Sequence, residues 1–209
     1  PDNSSVSVFD AQSNDKVAEV TVSLGPRTLA LSPDGTEVWV TNSEGASISV
    51  ISTSTLSVIR TMAMPRASQP YGIIFNAAGQ AYVSLEASRL VRLLAADGRV
   101  VASAGVGLHV RHLALSADAS KLLASRFISP KQSGENTAIV PISKTAGGEV
   151  LLLNPSTLAT SKTMRLRHSD KADGTAQGRG VPNYLGAAVI SPDGLSAWVP
   201  SKQDNIHRC

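Results

Sequence analysis

The sequence predicts an all-β protein built from repeated four-stranded antiparallel sheets. Short apolar runs rich in Val, Ile and Leu recur along the 209 residues, and Gly, Pro, Asn and Asp separate them. A Ser-Pro-Asp-Gly turn motif also returns almost unchanged. No segment carries the sustained 3.6-residue periodicity of an amphipathic helix. With 42% hydrophobic residues the chain can form a packed core, which excludes extensive disorder.

The repeat is clearest around the turn motif. Leu29–Gly35 reads LALSPDG and Ala188–Gly194 reads AVISPDG, with looser copies at 73–79 and 113–119. A second apolar run follows each copy, and two more runs follow every copy except the last, so a repeat holds four predicted strands and has a period of about 42 residues. Val6–Phe9 matches the third run of a repeat. The predicted repeats are 6–45, 46–87, 88–147 (with an insertion at 126–148) and 148–205.

A single four-stranded sheet of this kind cannot bury both of its faces. Packing several such sheets side by side around an axis does bury them, and this is the architecture of a β-propeller. The sequence therefore predicts a partial β-propeller of four-stranded antiparallel blades. About four blade equivalents would form one domain over residues 1–209.

A stretch of the first repeats carries a family resemblance. Trp39-Val-Thr-Asn42 follows Ser32–Gly35, and Ile48–Ile51 and Thr55–Ile59 come next; together they resemble the YVTN-type β-propeller repeat, with tryptophan in place of tyrosine. The resemblance covers nearly the whole chain. It implies a propeller from an exported bacterial protein, located in the periplasm or outside the cell.

No cofactor or metal ion is predicted. The tracts 180–186 and 198–205 resemble a subgroup of exported propellers, some of which carry c-type haem domains. A CxxCH motif is absent here, because the single cysteine is the last residue. His109 and His112 would point to opposite faces of a strand. Asp170–Gly174 has too few oxygen ligands for a calcium loop of the EF-hand type.

The sequence starts and ends within a four-stranded unit, and this affects how many blades we expect in the whole protein. The sequence starts before a third strand and ends after a second strand, whereas propellers of this family usually have about seven blades. We expect the chain to be a piece of a longer protein. A four-bladed ring, and blades completed by a second copy or another chain, are the open alternatives.

Two long excursions favour one face of the propeller as a binding surface. In a four-stranded meander, the loop after the second strand and the connection to the next blade lie on the same face. These are the segments that are long here, at 126–148 and 167–183. Residues 126–148 carry a net charge of +2, and residues 162–186, which include the second excursion, carry a net charge of +3. The predicted partner-binding residues of this loop face are Arg126, Lys131, Arg165, Arg167, His168, Arg179 and Asn183. The alternative is that the charged residues only keep the long loops solvated.

A second candidate site lies at the predicted channel mouth. Arg27, Tyr71 and Arg111 occupy equivalent positions just before innermost strands, and Tyr184 lies near the corresponding position of the fourth repeat. Arginine and tyrosine at such a place can bind a carboxylate, a phosphate or a carbonyl group. The alternative is a structural tether between neighbouring blades.

The composition narrows the classes of function. Eight aromatic residues and a net charge of +3 disfavour nucleic-acid binding, and no apolar run is long enough to span a membrane. No catalytic residues are predicted, since the chain lacks a GxSxG motif. The sequence favours a non-catalytic binding or scaffold module that recognises a protein or small anionic ligand. A lactonase-type propeller enzyme and a docking subunit for a haem electron-transfer domain are the alternatives.

Overall fold

The computed structural model describes residues 4–128, 146–167 and 181–204, and in these ranges the regular secondary structure is all strand. None of the described residues belongs to a helix long and apolar enough to cross a membrane. The strands are β1 (Ser5–Phe9), β2 (Lys16–Thr21), β3 (Pro26–Leu31), β4 (Glu37–Asn42), β5 (Ser47–Ser52), β6 (Ser57–Ala63), β7 (Pro70–Phe75), β8 (Ala81–Leu85), β9 (Leu90–Leu94), β10 (Val100–Gly105), β11 (Val110–Leu115), β12 (Leu122–Arg126), β13 (Ala146–Leu153), β14 (Thr160–Arg167), β15 (Val181–Asn183), β16 (Val189–Ile190), β17 (Ala197–Trp198) and β18 (Lys202–Asp204).

Three sheets have four strands each, β3–β6, β7–β10 and β11–β14, and in each sheet the strands follow one another in sequence order. Three smaller sheets pair β1 with β2, β15 with β18 and β16 with β17. The pairings are antiparallel. These four-stranded meanders confirm the predicted fold class, because they are the blades of a β-propeller.

The chain divides into two compact units, Pro1–Ala104 (unit 1) and Gly105–Cys209 (unit 2). Unit 1 holds the β1–β2 pair and the first two four-stranded sheets, apart from the last residue of β10. Unit 2 holds the third four-stranded sheet and the strands that follow it. Each predicted repeat runs from the third strand of one sheet to the second strand of the next, so the sheet boundaries fall inside the predicted repeats.

The core of unit 1 forms between adjacent sheets. Trp39 of β4 is 1% exposed. Its ring meets Phe75 of β7 edge-on at 5.1 Å between centroids, and its Nε1 donates to Glu37 Oε2 at 2.8 Å. Strand β8 is buried along its whole length, because both of its faces are covered. Unit 2 has its own core, in which Leu185 packs with Leu123, Val150 and Ala188.

The turn motif closes the first two strands of a sheet through a serine–aspartate pair. Ser32, Ser116 and Ser191 each donate a hydroxyl hydrogen bond to the aspartate two residues later, at 2.6, 2.6 and 2.5 Å. This hydroxyl contact is the main reason that the pKa values of Asp34, Asp118 and Asp193 lie below the ordinary value of 3.8. Backbone N–H groups of the turns act in the same direction.

Because the pKa values of these aspartates are lowered, we expect the free energy of unfolding to depend on pH in the acid range. A lowered folded-state pKa stabilises the protein above the ordinary pKa, and the contribution is lost as the pH falls through the folded-state value. We expect a triple variant with Asn at positions 34, 118 and 193 to lose less stability than the wild type between about pH 4 and about pH 2. Urea unfolding at a series of pH values measures this, and identical acid dependence of the two proteins would contradict it.

Candidate functional site

A β-bulge recurs at the start of the first strand of each four-stranded sheet. The pairing register shifts between Pro26 and Leu29, between Pro70 and Ile73, and between Val110 and His112. In each case two residues of the first strand oppose one residue of the second. Arg27, Tyr71 and Arg111 lie at this bulge, so the structure gives them equivalent positions. Bulges commonly redirect a side chain next to a binding site.

A hydroxyl residue of the second strand holds the bulge in place. Thr41 Oγ1 accepts the N–H of Thr28 at 3.1 Å, and Ser84 Oγ accepts the N–H of Gly72 at 2.8 Å. The same hydroxyl position also ties a sheet to the next one: Thr41 donates to the Tyr71 carbonyl at 2.6 Å. Thus the Thr of Trp39-Val-Thr-Asn42 both shapes one bulge and anchors the following one.

In unit 2, Ser125 of β12 donates to the Gly186 carbonyl at 2.7 Å. Gly186 occupies the repeat position that Arg27, Tyr71 and Arg111 hold in the earlier repeats. This hydrogen bond therefore repeats the contact that Thr41 makes with Tyr71 in unit 1. At Tyr71 and at Gly186 the main-chain carbonyl thus accepts a hydrogen bond from the preceding four-stranded sheet.

Unit 1 presents Arg27 at its surface. The side chain is exposed, and its guanidinium lies 3.7 Å from the carboxylate of Glu44, which is also exposed. An exposed pair at this distance contributes little stability. Tyr71 is half-buried at the bulge of the next sheet, and its carbonyl receives hydrogen bonds from both Thr28 and Thr41.

Unit 2 brings Arg111 and Tyr184 into one row of cations and aromatic rings. The guanidinium of Arg111 stacks on the ring of Phe127 at 3.7 Å. The Phe127 and Tyr184 rings meet edge-on, with centroids 5.2 Å apart. Lys202 Nζ lies over the other ring of this pair, 5.7 Å from the Tyr184 centroid. We call these four residues the Arg111–Lys202 row.

Glu149 organises the basic side chains next to the row. Its carboxylate is buried, and it lies 2.9 Å from Nε of Arg126 and accepts a hydrogen bond from Nε of Arg165 at 3.1 Å. The contact of Arg126 Nε is an ion pair rather than an aligned hydrogen bond. Arg126 Nη1 also donates to the Leu108 carbonyl at 2.7 Å. A β-carbon at Gly107, where φ is +84°, would lie 2.7 Å from this guanidinium, so glycine leaves the space that Arg126 fills.

The ends of both long excursions lie together in unit 2. Strand β12 ends at Arg126 and β13 begins at Ala146; β14 ends at Arg167 and β15 begins at Val181. Ala146 pairs with Arg167, and β15 lies against β13 and β14. We call this end of the β11–β14 sheet, where β11 and β13 begin and β12 and β14 end, the loop edge. The Arg111–Lys202 row lies at the loop edge.

The predicted loop-face residues divide into several groups. Lys131, His168 and Arg179 lie outside the described residues, as does the side chain of Arg167. Arg165 is 61% exposed at the loop edge. Arg126, only 12% exposed, is held by Glu149 and contributes to the structure rather than to an open surface.

Asn183 corrects the sequence-based prediction. It is buried on β15, with 1% of its surface exposed, so its side chain does not lie on a surface that a partner can reach. The adjacent Tyr184 is exposed and has a positive φ of 50°. The turn that buries one residue therefore exposes the next.

Sequence reasoning missed three residues of the loop edge. Phe127 and Lys202 complete the row. Glu149 neutralises part of the positive charge of residues 126–148 and 162–186. Glu149 lies one residue beyond the counted segment 126–148, at the start of an apolar run. A carboxylate at the start of an apolar run that is predicted to be a buried strand was the signal, because a buried carboxylate needs a charged partner.

Unit 1 also contains a cavity of about 550 Å³ between neighbouring sheets. It is lined in part by the turn residues Asp34 and Thr36, by Glu37 and by Phe75. Arg60 Nη2 lies 3.3 Å from Glu37 Oε2 and donates to the Ala96 carbonyl at 3.1 Å. The sequence did not indicate this cavity, because its walls come from separate sheets.

No group of three or more His, Cys, Asp or Glu side chains among the described residues is placed to hold a metal ion.

Within unit 2, the backbone carbonyl of His109 accepts the N–H of Phe127 at 2.8 Å. This contact positions the first residue after β12, where the aromatic part of the row begins.

Comparisons with known proteins inform the fold. No protein-family model matches the chain, and no curated protein matches it. Among solved structures, hydrazine synthase of Kuenenia stuttgartiensis is similar at a TM-score of 0.74 and 19% identity, over 96% of this chain and 50% of that one. A protein of unknown function from Bacteroides caccae has a TM-score of 0.59 at 13% identity, over 94% of this chain and 61% of that one.

A functionally unknown protein from Desulfotomaculum acetoxidans has a TM-score of 0.62 at 15% identity, over 96% of this chain and 57% of that one. The chain thus spans about half to three-fifths of the length of these solved chains. At such identities a likeness concerns the backbone and not the chemistry of a site. The chain therefore has the fold of β-propeller blades, and this is what its structural relatives show.

Proposed function

We propose that this chain is a non-catalytic recognition module that binds carboxylate groups of an acidic protein partner at the loop edge of unit 2. The Arg111–Lys202 row is the observation that carries the proposal. It places two cations and two aromatic rings side by side on a sheet end. Arginine and aromatic residues are enriched where protein surfaces recognise one another.

The stacking of Arg111 suits it to carboxylate binding. A ring contact uses the face of the guanidinium, whereas a carboxylate is bound through the N–H groups at its edge, so the two interactions are compatible. Stacking on Phe127 also limits the rotamers of the side chain, which lowers the entropy lost on binding. Arg165 adds an exposed positive group at the same end of the sheet, although Glu149 neutralises part of its charge.

Unit 1 contributes a separate, smaller contact region under this proposal. Arg27 occupies the same bulge position as Arg111, and its pairing with Glu44 is weak enough for a partner carboxylate to compete. Tyr71 holds the equivalent position in the next sheet. The proposed role is consistent with an exported protein of the periplasm or the cell exterior, where rigid propeller surfaces recognise other proteins.

Binding of poly-L-glutamate, measured by fluorescence anisotropy, tests the proposal. A charge-assisted hydrogen bond contributes about 1.5–3 kcal/mol, so Arg111→Gln should weaken binding at least about tenfold. Lys202→Gln should weaken it less, since a solvated ammonium contributes mainly long-range attraction. Raising the salt concentration should reduce wild-type affinity more than that of Arg111→Gln.

Lys162→Gln is the matched control. Lys162 is an exposed cation near the start of β14, at the end of the same sheet opposite the loop edge. Its removal changes the net charge of the chain by the same amount as Arg111→Gln. Equal losses of affinity in the two variants would mean that net charge, rather than the row, attracts the ligand, and would contradict the proposal.

A further inference from the structure

The cavity of about 550 Å³ in unit 1 lies between two turns of the same kind. One wall is the turn from β3 to β4, and the other is the turn from β7 to β8; Ala96, between β9 and β10, adds to the second wall. Both walls belong to complete four-stranded sheets. The volume falls within the range of sites that hold small organic molecules.

The side chains of the cavity wall offer hydrogen-bond acceptors rather than donors. The hydroxyls of Ser32 and Thr36 donate to Asp34 Oδ1 at 2.6 and 2.9 Å. Trp39 Nε1 donates to Glu37 Oε2 at 2.8 Å, and these three are the side-chain donors among the described lining residues. Asp34 Oδ2 and Glu37 Oε1 accept no hydrogen bond from another residue that the structure describes. A ligand that satisfies them has to donate.

The charges at the cavity favour a cation as that ligand. The Ser32 hydroxyl is the main cause of the lowered pKa of Asp34, so this carboxylate is ionised at neutral pH. Glu37 is paired with Arg60, whose Nη2 lies 3.3 Å from Oε2. The Arg60 guanidinium also lies over the Trp39 ring, 5.7 Å from its centroid, so this region already holds one cation. Two carboxylates and one arginine leave a net negative charge.

The turn itself does not require a carboxylate at the position of Glu37. The backbone carbonyl of Glu37 accepts the N–H of the first residue of the turn, and Gln80, Lys121 and Ser196 make the same contact in the other turns. None of those three residues is acidic. The carboxylate of Glu37 is therefore a feature of this cavity and not of the repeated turn.

We propose that the cavity between the β3–β6 and β7–β10 sheets binds a small organic cation, an ammonium group that carries a hydrocarbon or aromatic part. The ammonium donates to Asp34 Oδ2 and Glu37 Oε1, and the apolar part lies against Pro33, Phe75 and Ala78 of the wall. This site lies in unit 1 and prefers a ligand of opposite charge to that of the loop edge in unit 2.

Isothermal titration calorimetry with ligands of similar size tests the class of ligand. Phenethylamine should bind with a dissociation constant of about 1 mM. 2-Phenylethanol, with a hydroxyl in place of the ammonium, should bind at least about tenfold more weakly, and the anion phenylacetate more weakly still. No heat of binding from phenethylamine at about tenfold that concentration would overturn the proposal. So would tighter binding of phenylacetate.

Two substitutions test which carboxylates bind the ammonium. Asp34→Asn and Glu37→Gln should each weaken the binding of phenethylamine at least about tenfold. Asp118→Asn is the matched control, because Asp118 has the same hydroxyl contact in the corresponding turn of unit 2 and its substitution changes the net charge by the same amount. Equal losses in Asp34→Asn and Asp118→Asn would overturn the proposal. Asp34 lies in an exposed turn, so its variant remains informative if Glu37→Gln is unstable.

Arg60→Gln separates a cation site from an anion site. It removes a positive charge beside the cavity, so it should strengthen the binding of phenethylamine, whereas weaker binding would contradict the proposal. Asp34→Asn should leave the binding of poly-L-glutamate at the loop edge unchanged. The two sites are therefore tested independently.

Discussion

Replacing Glu149 by leucine is expected to lower the free energy of unfolding by about 3 kcal/mol. The substitution leaves Arg126, a mostly buried cation, without its carboxylate, and an uncompensated buried charge is costly. The Leu108 carbonyl remains as a partner of Arg126 and limits the loss. Urea unfolding followed by circular dichroism at neutral pH measures the change.

Arg165→Ala is the companion variant. Arg165 contacts the same carboxylate but is largely exposed, so its loss should cost less than about 1 kcal/mol. Glu149→Leu combined with Arg126→Met should recover much of the lost stability, because it removes both buried charges. If Glu149→Leu and Arg165→Ala had equal effects, the assignment of Glu149 as the organiser of the loop edge would be wrong.

The ion pair also connects stability to the proposed function. Arg126 and Glu149 belong to neighbouring strands, β12 and β13. Phe127 follows Arg126 directly, so the pair holds the strand end from which the Arg111–Lys202 row extends. Arg126→Met should therefore weaken poly-L-glutamate binding less than Arg111→Gln, since it disturbs the position of the row without removing the charge that binds.

Thr41→Val is the second substitution with a large expected effect, a destabilisation of about 2 kcal/mol. The new side chain has nearly the same shape but lacks the hydroxyl. The partly buried N–H of Thr28 therefore loses its acceptor, and the Tyr71 carbonyl loses one of its two donors. Thr41→Ser keeps the hydroxyl and should cost less than Thr41→Val. Differential scanning calorimetry of the three proteins compares them.

Thr21→Val is the matched control for this experiment. Thr21 is an exposed residue at the end of β2, and loss of its hydroxyl should change the stability by no more than about 0.5 kcal/mol. If Thr41→Val and Thr21→Val had the same effect, the claim that the Thr41 hydroxyl stabilises the bulge would be wrong. Thr41→Val should also alter the position of Arg27, because the two lie on opposite sides of the bulge.

Much of the fold followed from local sequence. Period-2 apolar runs, turn residues and the repeated Ser-Pro-Asp-Gly motif act over a few residues, so they predicted the strands and their order in each blade. The equivalence of Arg27, Tyr71 and Arg111 followed in the same way, since tandem repeats place corresponding residues at corresponding points of each sheet.

The candidate site depended on contacts that no local pattern encodes. Phe127 is far in the sequence from Tyr184 and Lys202, and the three meet because β15 packs against the β11–β14 sheet and pairs with β18. The burial of Asn183 and the pairing of Glu149 with two arginines likewise arise from packing between strands. Hydrophobic periodicity thus determined the blades by itself. The tertiary structure decided which charges are neutralised and which side chains stay exposed, because burial and long-range pairing depend on the whole fold.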